Sequence, residues 1–223
     1  MNVLVLDLHR RDATETFKIT QQLDKFTQTS VLRVFSPDFS YAVLRAYDGL
    51  VLSGSDDRSV YYDPKIRQLT APLKQVSREG IHVLGICGGN QVLAKIYGYR
   101  RYRLKDPEVA WKPITVTARG QSDPLFRGLK GRFVAFEQHI LAVRCHDKER
   151  VLAANETCVQ AILYQPTVRG LQFHPEEPPT NGIDFVYTAQ GYGGIDHTFN
   201  GSHKHLPLLI FRNFVNMISE GSL

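Results

Sequence analysis

Apolar residues in the first hundred positions fall into two patterns, which predict strands that alternate with helices. Four short apolar runs are typical of buried strands, at residues 3–6, 31–35, 49–52 and 81–86. Helices are predicted between and after them, at residues 12–26, 41–46, 65–78 and 88–97. A chain that alternates strands with helices predicts an α/β fold, with a parallel sheet and helices on both faces.

The second half has a different pattern, because its apolar runs are short and turn residues separate them. These β-like runs are residues 111–118, 132–136, 141–144, 151–154, 159–163 and 169–173. They predict an antiparallel or mixed extension of the sheet. Residues 177–205 are rich in Gly, Pro and polar residues and predict a long loop, and residues 208–218 predict a closing helix. We expect residues 1–223 to form a single domain.

Composition narrows the class of protein further. Apolar residues make up 43% of the chain and charged residues 22%, which is ordinary for a globular protein. The N-terminus lacks the pattern of a signal peptide, and no apolar run approaches the ~20 residues that span a bilayer. Three cysteines give no disulfide framework and suit a reducing compartment. We therefore expect a cytoplasmic protein without a membrane segment.

The net charge of +5 raises the question of an anionic partner. The densest basic cluster contains Arg100, Arg101, Arg103 and Lys105, and it alternates with tyrosines that could stack on bases. No known nucleic-acid-binding motif accompanies the cluster. We therefore interpret it as a basic surface and expect no nucleic-acid partner.

The strongest chemical signal is a cysteine between a predicted strand and a predicted helix. The segment Gly85-Ile86-Cys87-Gly88-Gly89 follows a nearly all-apolar run and precedes residues 88–97. A tight turn between strand and helix is the context of a nucleophile elbow, in which small neighbours let the substrate approach. Unpaired N–H groups at a helix N-terminus favour the thiolate and an oxyanion. Cys87 is therefore a candidate nucleophile.

A base for this thiol is predicted at the end of the last β-like run. His174 follows residues 169–173, and Glu176 lies two positions further on, after Pro175. A carboxylate at this spacing can hydrogen-bond the imidazole and fix its tautomer. Cys87, His174 and Glu176 thus form a candidate triad.

Three ordered motifs resemble the signatures of class I glutamine amidotransferases. They are Ser53-Gly54-Ser55, Gly85-Ile-Cys87-Gly-Gly89-Asn-Gln91 and Leu171-Gln-Phe-His174-Pro-Glu176. Further stretches, which include Phe136-Glu-Gln-His139, are similar to stand-alone members related to the glutaminase domain of GMP synthase. The resemblance implies a flavodoxin-like or Rossmann-like, mostly parallel sheet with helices on both faces and an antiparallel β extension.

The resemblance also implies roles for individual residues. Cys87 would attack the side-chain amide of glutamine, His174 would act as base and then as acid, and Glu176 would orient His174. The N–H groups of Gly54 and Gly88 would form the oxyanion hole. The resulting γ-glutamyl thioester would be hydrolysed by water, with no cofactor or metal.

Substrate binding and partners are implied in the same way. Gln91 and His139 would help to bind glutamine, and the ammonia would pass to a synthetase partner. The chain departs from the family pattern at Gly88, where relatives often have a larger residue. It also departs at Ile140 and Leu141, which follow His139 where many relatives have a serine that contacts the substrate.

Two other functions remain open on the sequence alone. A γ-glutamyl hydrolase or peptidase would use the same triad on another γ-glutamyl amide and would need no partner. A non-catalytic regulatory subunit would keep the fold without the reaction. The histidines of the predicted loop, His197, His203 and His205, have no standard metal-binding spacing, so we expect no metal site.

Overall fold

A computed structural model describes residues 1–10, 13–35, 41–55, 61–129, 131–177, 183–188, 191–196 and 206–221. The strands are β1 (Asn2–Asp7), β2 (Gln28–Arg33), β3 (Gly49–Leu52), β4 (His82–Ile86), β5 (Arg100–Val116), β6 (Arg132–Arg144), β7 (Val151–Ala154), β8 (Val159–Gln165), β9 (Val168–Leu171), β10 (Ile183–Thr188) and β11 (Gly191–Asp196). The helices are α1 (Thr14–Leu23), α2 (Tyr41–Arg45), α3 (Pro64–Gln68), α4 (Thr70–Arg78), α5 (Gly88–Ile96), α6 (Ala118–Gln121) and α7 (Leu206–Glu220). Short 3₁₀ turns occupy Pro124–Phe126 and Lys148–Arg150.

Nine of the strands in the described residues form one mixed sheet, in the order β2-β1-β3-β4-β9-β8-β7-β5-β6. The first five strands in that order pair in parallel. The remaining strands pair antiparallel to their neighbours. The α/β fold with a parallel part and an antiparallel extension is therefore confirmed.

Helices cover both faces of β1, β3 and β4, and the side chains of these strands alternate between two apolar clusters. Val3 and Val5 of β1 belong to the cluster that contains α1 and α7 residues. Leu4 and Leu6 belong to the opposite cluster, with residues of α4 and α5. Strands buried on both faces read as continuous apolar runs, which is why their positions were predictable.

The antiparallel part departs from the predicted pattern of short runs. Residues 132–136 and 141–144 belong to one strand, β6, and β5 extends well before the predicted start at residue 111. The pairing of β5 with β6 shifts register between Arg103 and Glu108. This irregularity interrupts the period-two alternation, so the sequence shows separate runs where the chain forms one long hairpin.

Two further predictions are corrected. The predicted helix at 65–78 is two helices, because Pro72 lies in the first turn of α4 and has no N–H with which to continue α3. The predicted loop at 177–205 contains the antiparallel pair β10 and β11. Val186 and Tyr187 favour a strand there, whereas the glycines of β11 concealed its partner.

The parallel strands bring three segments of the chain to one edge of the sheet. β3, β4 and β9 are neighbours, and their carboxyl ends lead into residues 53–55, Cys87 and residues 172–176. Ligand sites of parallel sheets lie at this edge. The fold thus places the three sequence motifs side by side.

Candidate active site

Cys87 lies at the sharp turn between β4 and α5, with φ 46° and ψ −100°. Among the described residues it is the only non-glycine with a positive φ. Its N–H donates to the carbonyl oxygen of Leu171 at 2.7 Å, and its own carbonyl accepts the N–H of Gln91 at 3.1 Å. Bonds to β9 and to the first turn of α5 therefore hold the cysteine in a conformation that strains an L-residue.

The neighbours of the cysteine are glycines because the chain after β3 packs directly against the turn. A Cβ on Gly88 would lie 2.7 Å from the backbone nitrogen of Ser55. A Cβ on Gly89 would collide with the carbonyl oxygen of Leu52. These contacts explain the departure from larger residues at position 88, since the loop that contains Ser55 occupies the space.

His174 and Glu176 form a buried pair beside this turn. The Nδ1 atom of His174 lies 2.6 Å from Oε1 of Glu176, and the N–H of His174 donates to the carbonyl of Phe136 at 2.9 Å. Burial lowers the pKa of His174, but the charges of Glu176, Cys87 and Glu15 outweigh it and raise this pKa well above its usual range. Burial raises the pKa of Glu176 to about 7, against the opposing charge of His174.

The other ring nitrogen of His174 is available to the thiol. Nε2 is buried and has no hydrogen-bond partner in the part of the chain that the structure describes. Cys87 is close enough to contribute to the raised pKa of His174. Around its sulfur, Nε2 of Gln172 lies at 3.8 Å and the carbonyl oxygen of Gln138 at 4.0 Å. Nε2 is thus the candidate acceptor for the proton of the thiol.

The two predicted oxyanion-hole residues lie in contact, but one of them already has a partner. The N–H of Gly54 donates to Oε1 of Glu15 at 2.5 Å. Gly88 lies against Ser55, whose backbone nitrogen is the nearest atom to a Cβ placed on Gly88. The carboxylate of Glu15 therefore reaches from α1 to the loop that follows β3.

Glu15 is a part of the site that the sequence motifs did not indicate. Its Oε1 lies 3.8 Å from Nδ1 of His174, and its Oε2 lies 3.4 Å from Nε2 of His9. Burial raises the pKa of Glu15, but the charge of His174 and the hydrogen bonds of His9 and Gly54 outweigh this and lower it. An acidic residue in the first turn of a helix is common, so no local pattern distinguished Glu15.

The predicted substrate-binding residues are both close to the cysteine and both engaged within the protein. The side chain of Gln91 donates to the carbonyl of Leu141 at 3.1 Å and accepts from Arg101 at 3.2 Å. Nε2 of His139 lies 3.0 Å from Glu137 and 3.2 Å from Glu108. These side chains thus form part of the walls of the site. Arg101 of the basic cluster contributes through its hydrogen bond to Gln91.

The surroundings of His139 form a buried polar cluster with Cys158. The sulfur of Cys158 lies 3.5 Å from Oε2 of Glu108, whose Oε1 accepts from Asn155 at 2.9 Å and from Lys112 at 3.0 Å. Burial lowers the pKa of His139, but the adjacent carboxylates outweigh it and raise this pKa to about 9. The charges of the cluster thus compensate one another. The loop histidines 197, 203 and 205 lie outside the described residues.

Comparison with known proteins agrees with this fold. The model of the family Glutamine amidotransferase class-I matches residues 12–187. The chain is 31% identical to a glutamine-hydrolyzing GMP synthase subunit from Methanococcus maripaludis, over 62% of this chain and 69% of that protein. It is 26% identical to the corresponding GMP synthase subunit from Thermoplasma acidophilum, over 84% and 80%.

A solved structure shows the same fold at low sequence identity. The glutamine amido transferase from Methylobacillus flagellatus superposes with a TM-score of 0.71 at 16% identity, covering 99% of this chain and 94% of that one. The family match and the relative at 31% identity show a glutamine-dependent class of enzyme. This chain belongs to the class I glutamine amidotransferase family. Among the described helices, none has the length and apolarity to cross a membrane.

Proposed function

We propose that Cys87, His174 and Glu176 are a catalytic triad that hydrolyses the side-chain amide of glutamine. The observation that carries this proposal is the strained backbone of Cys87 at the N-terminus of α5, beside a buried His174 whose Nδ1 lies 2.6 Å from Glu176. A protein keeps such strain where the conformation serves a reaction. The class I family match supports the assignment.

The reaction follows from the positions of these groups. His174 takes the proton of the thiol, and the sulfur of Cys87 bonds to the amide carbon of glutamine, whose oxygen becomes an oxyanion. When the oxyanion collapses, the C–N bond breaks, and the proton from His174 leaves with the nitrogen as ammonia. Water, deprotonated by His174, then attacks the thioester. Its C–S bond breaks, and glutamate and the thiol are released.

Backbone N–H groups at the turn stabilise the oxyanion in this proposal. Gly88 and Gly54 are the candidates, and the amide of Ser55 lies closest to Gly88. Such donors each contribute on the order of 10²–10³-fold to the rate. Gln91 and His139 shape the site that receives glutamine, with Gln91 bridging β6 and Arg101.

We further infer that the ammonia is used by a separate synthetase. The relatives at 31% and 26% identity are named as glutamine-hydrolyzing subunits of GMP synthase. One continuous sheet through both halves of the chain supports a single amidotransferase domain over residues 1–223. Three free cysteines support a reducing, cytoplasmic location.

The test is glutamate release by the purified chain, with and without a candidate synthetase. Cys87→Ser should abolish hydrolysis, whereas Cys145→Ser, a matched change at a half-buried cysteine outside the site, should preserve it. Mass spectrometry of acid-quenched wild type should detect the γ-glutamyl adduct on Cys87. Full hydrolysis by Cys87→Ser would refute the proposed triad.

A γ-glutamyl hydrolase is the second candidate, because Ile140 and Leu141 replace the serine that many relatives have after His139. Under that alternative, another γ-glutamyl amide would be cleaved faster than glutamine and no synthetase would raise the rate. A panel of γ-glutamyl amides assayed at equal concentration separates the two functions. Preference for glutamine excludes the hydrolase.

A further inference from the structure

Gly54 is one of the two proposed oxyanion-hole donors, yet its N–H already donates to a carboxylate of the same chain. Oε1 of Glu15 lies 2.5 Å from the nitrogen, and a Cβ on Gly54 would collide with the Glu15 carboxylate. The same oxygen lies 3.8 Å from Nδ1 of His174. Glu15 therefore reaches into the site between the oxyanion loop and the base.

We propose that Glu15 is an internal competitor for the oxyanion hole, so that attack on glutamine requires its carboxylate to leave Gly54. The inference rests on the proposed glutaminase function. In it, Glu15 affects the reaction by occupying the hydrogen-bond donor of the oxyanion hole and does not contact the reacting carbon. Two anionic oxygens cannot share a single N–H without repulsion, and the bond from Gly54 to a carboxylate is stronger than one to a neutral group.

Neighbouring contacts hold Glu15 in this position. His9 lies 3.4 Å from its Oε2, and His9 in turn contacts Asp7 at 2.9 Å. Lys18, one turn further along α1, lies 2.6 Å from Glu177, which directly follows the triad residue Glu176. Contacts from two successive turns thus hold the start of α1 against the site.

The start of α1 itself lacks one common restraint. Ala13 stands at the N-cap position and provides no side-chain hydrogen bond to the helix start. A helix that begins without a polar cap lacks a common source of stabilisation at that end. A small movement of this turn would withdraw Glu15 and leave the N–H of Gly54 for the oxyanion.

The competition predicts that removal of the carboxylate activates the enzyme. Glu15→Ala should raise kcat/KM for glutamine hydrolysis by the isolated chain by about 10-fold to 100-fold, the range that a charged hydrogen bond corresponds to. Glu15→Gln, which keeps the shape and removes the charge, should give a smaller rise. Glu156→Gln, a change at an exposed carboxylate, is the matched control and should leave the rate unchanged.

Two alkylating reagents separate competition from a general change in the site. A diazo-ketone analogue of glutamine places its carbonyl oxygen in the oxyanion hole, whereas iodoacetamide reacts with the thiol without forming an oxyanion. Glu15→Ala should accelerate diazo-ketone labelling of Cys87 by about the factor seen in hydrolysis. Iodoacetamide alkylation and the thermal midpoint should change little.

Unchanged or decreased hydrolysis in Glu15→Ala would overturn the inference, because Glu15 would then be inert or would assist His174. If this variant does not fold, an unchanged or decreased rate in Glu15→Gln has the same meaning. If Cys87→Ser loses glutamine hydrolysis but neither Glu15 variant is activated, the inference about Glu15 is refuted and the proposed function stands. Absence of glutamine hydrolysis and of diazo-ketone labelling in wild type and all variants would overturn the proposed function with it.

Discussion

The backbone of Cys87 should reverse the usual order of stability between alanine and glycine. Cys87→Ala and Cys87→Gly both remove the thiol and differ by one methyl group. At φ 46° and ψ −100° that methyl group is strained by about 1–3 kcal/mol, which glycine avoids. Glycine loses about 0.5–1 kcal/mol through the greater entropy of the unfolded chain. The difference leaves Cys87→Gly more stable than Cys87→Ala by about 1 kcal/mol.

Reversible urea denaturation, followed by circular dichroism, measures this difference directly. For a chain of 223 residues, 1 kcal/mol also corresponds to about 2–4 °C in Tm. The same pair of changes at Cys145, whose φ is not positive, is the control, and there glycine should be the less stable variant. If Cys87→Gly is less stable than Cys87→Ala, the backbone is not strained and the reasoning about the elbow fails.

Three further changes test other parts of the site. In Gly88→Ala, the nitrogen of Ser55 must move away by about 0.7 Å (3.4 Å minus 2.7 Å) to make room for the methyl group. The value of kcat/KM for glutamine should therefore fall by about 10²-fold, while alkylation of Cys87 by iodoacetamide persists. A wild-type rate would show that the loop tolerates a methyl group. Glu176→Gln removes the charge that orients His174. The value of kcat, measured by glutamate release, should fall by roughly 10²–10⁴-fold. A decrease in kcat of less than tenfold would contradict the orienting role. The pKa of His9 is raised to about 10, because the hydrogen bonds of neighbouring carboxylates outweigh burial, which lowers it. Its charged form therefore stabilises the fold fully below pH ~6.5, and this contribution, on the order of a few kcal/mol, is lost as the pH rises through about 10. In His9→Gln the free energy of unfolding should depend less on pH between 6 and 10 than in wild type, and identical pH profiles would refute this.

The parallel half of the fold was predictable because its constraints are local. Burial on both faces turns β1 and β4 into continuous apolar runs, and the packing of residues 52–55 against α5 demands small residues around Cys87. The apolar run and the small residues around Cys87 therefore predict the strand–turn–helix elbow from the sequence. His174 and Glu176 were predictable for the same reason, since two residues of one turn form the pair.

The parts that the sequence did not reveal depend on contacts between distant segments. Glu15 meets Gly54 from a position 39 residues away, and its own neighbourhood in α1 is that of an ordinary helix start. Charged residues such as Lys105 and Asp106 lie at the irregular pairing of β5 with β6, which hid the length of that hairpin. In each case the structure depends on a residue or strand that is distant in sequence, and the local sequence pattern gives no information about that partner.

The last helix has a consequence for the synthesis of this protein. α7 packs on the same face as α1 and contributes buried Phe211, Phe214 and Ile218 to the cluster that contains Val3 and Val51. During translation, strands near the N-terminus leave the ribosome long before the residues that complete their cover. A nascent chain that lacks α7 therefore presents an open apolar surface to chaperones and proteases until that helix is made.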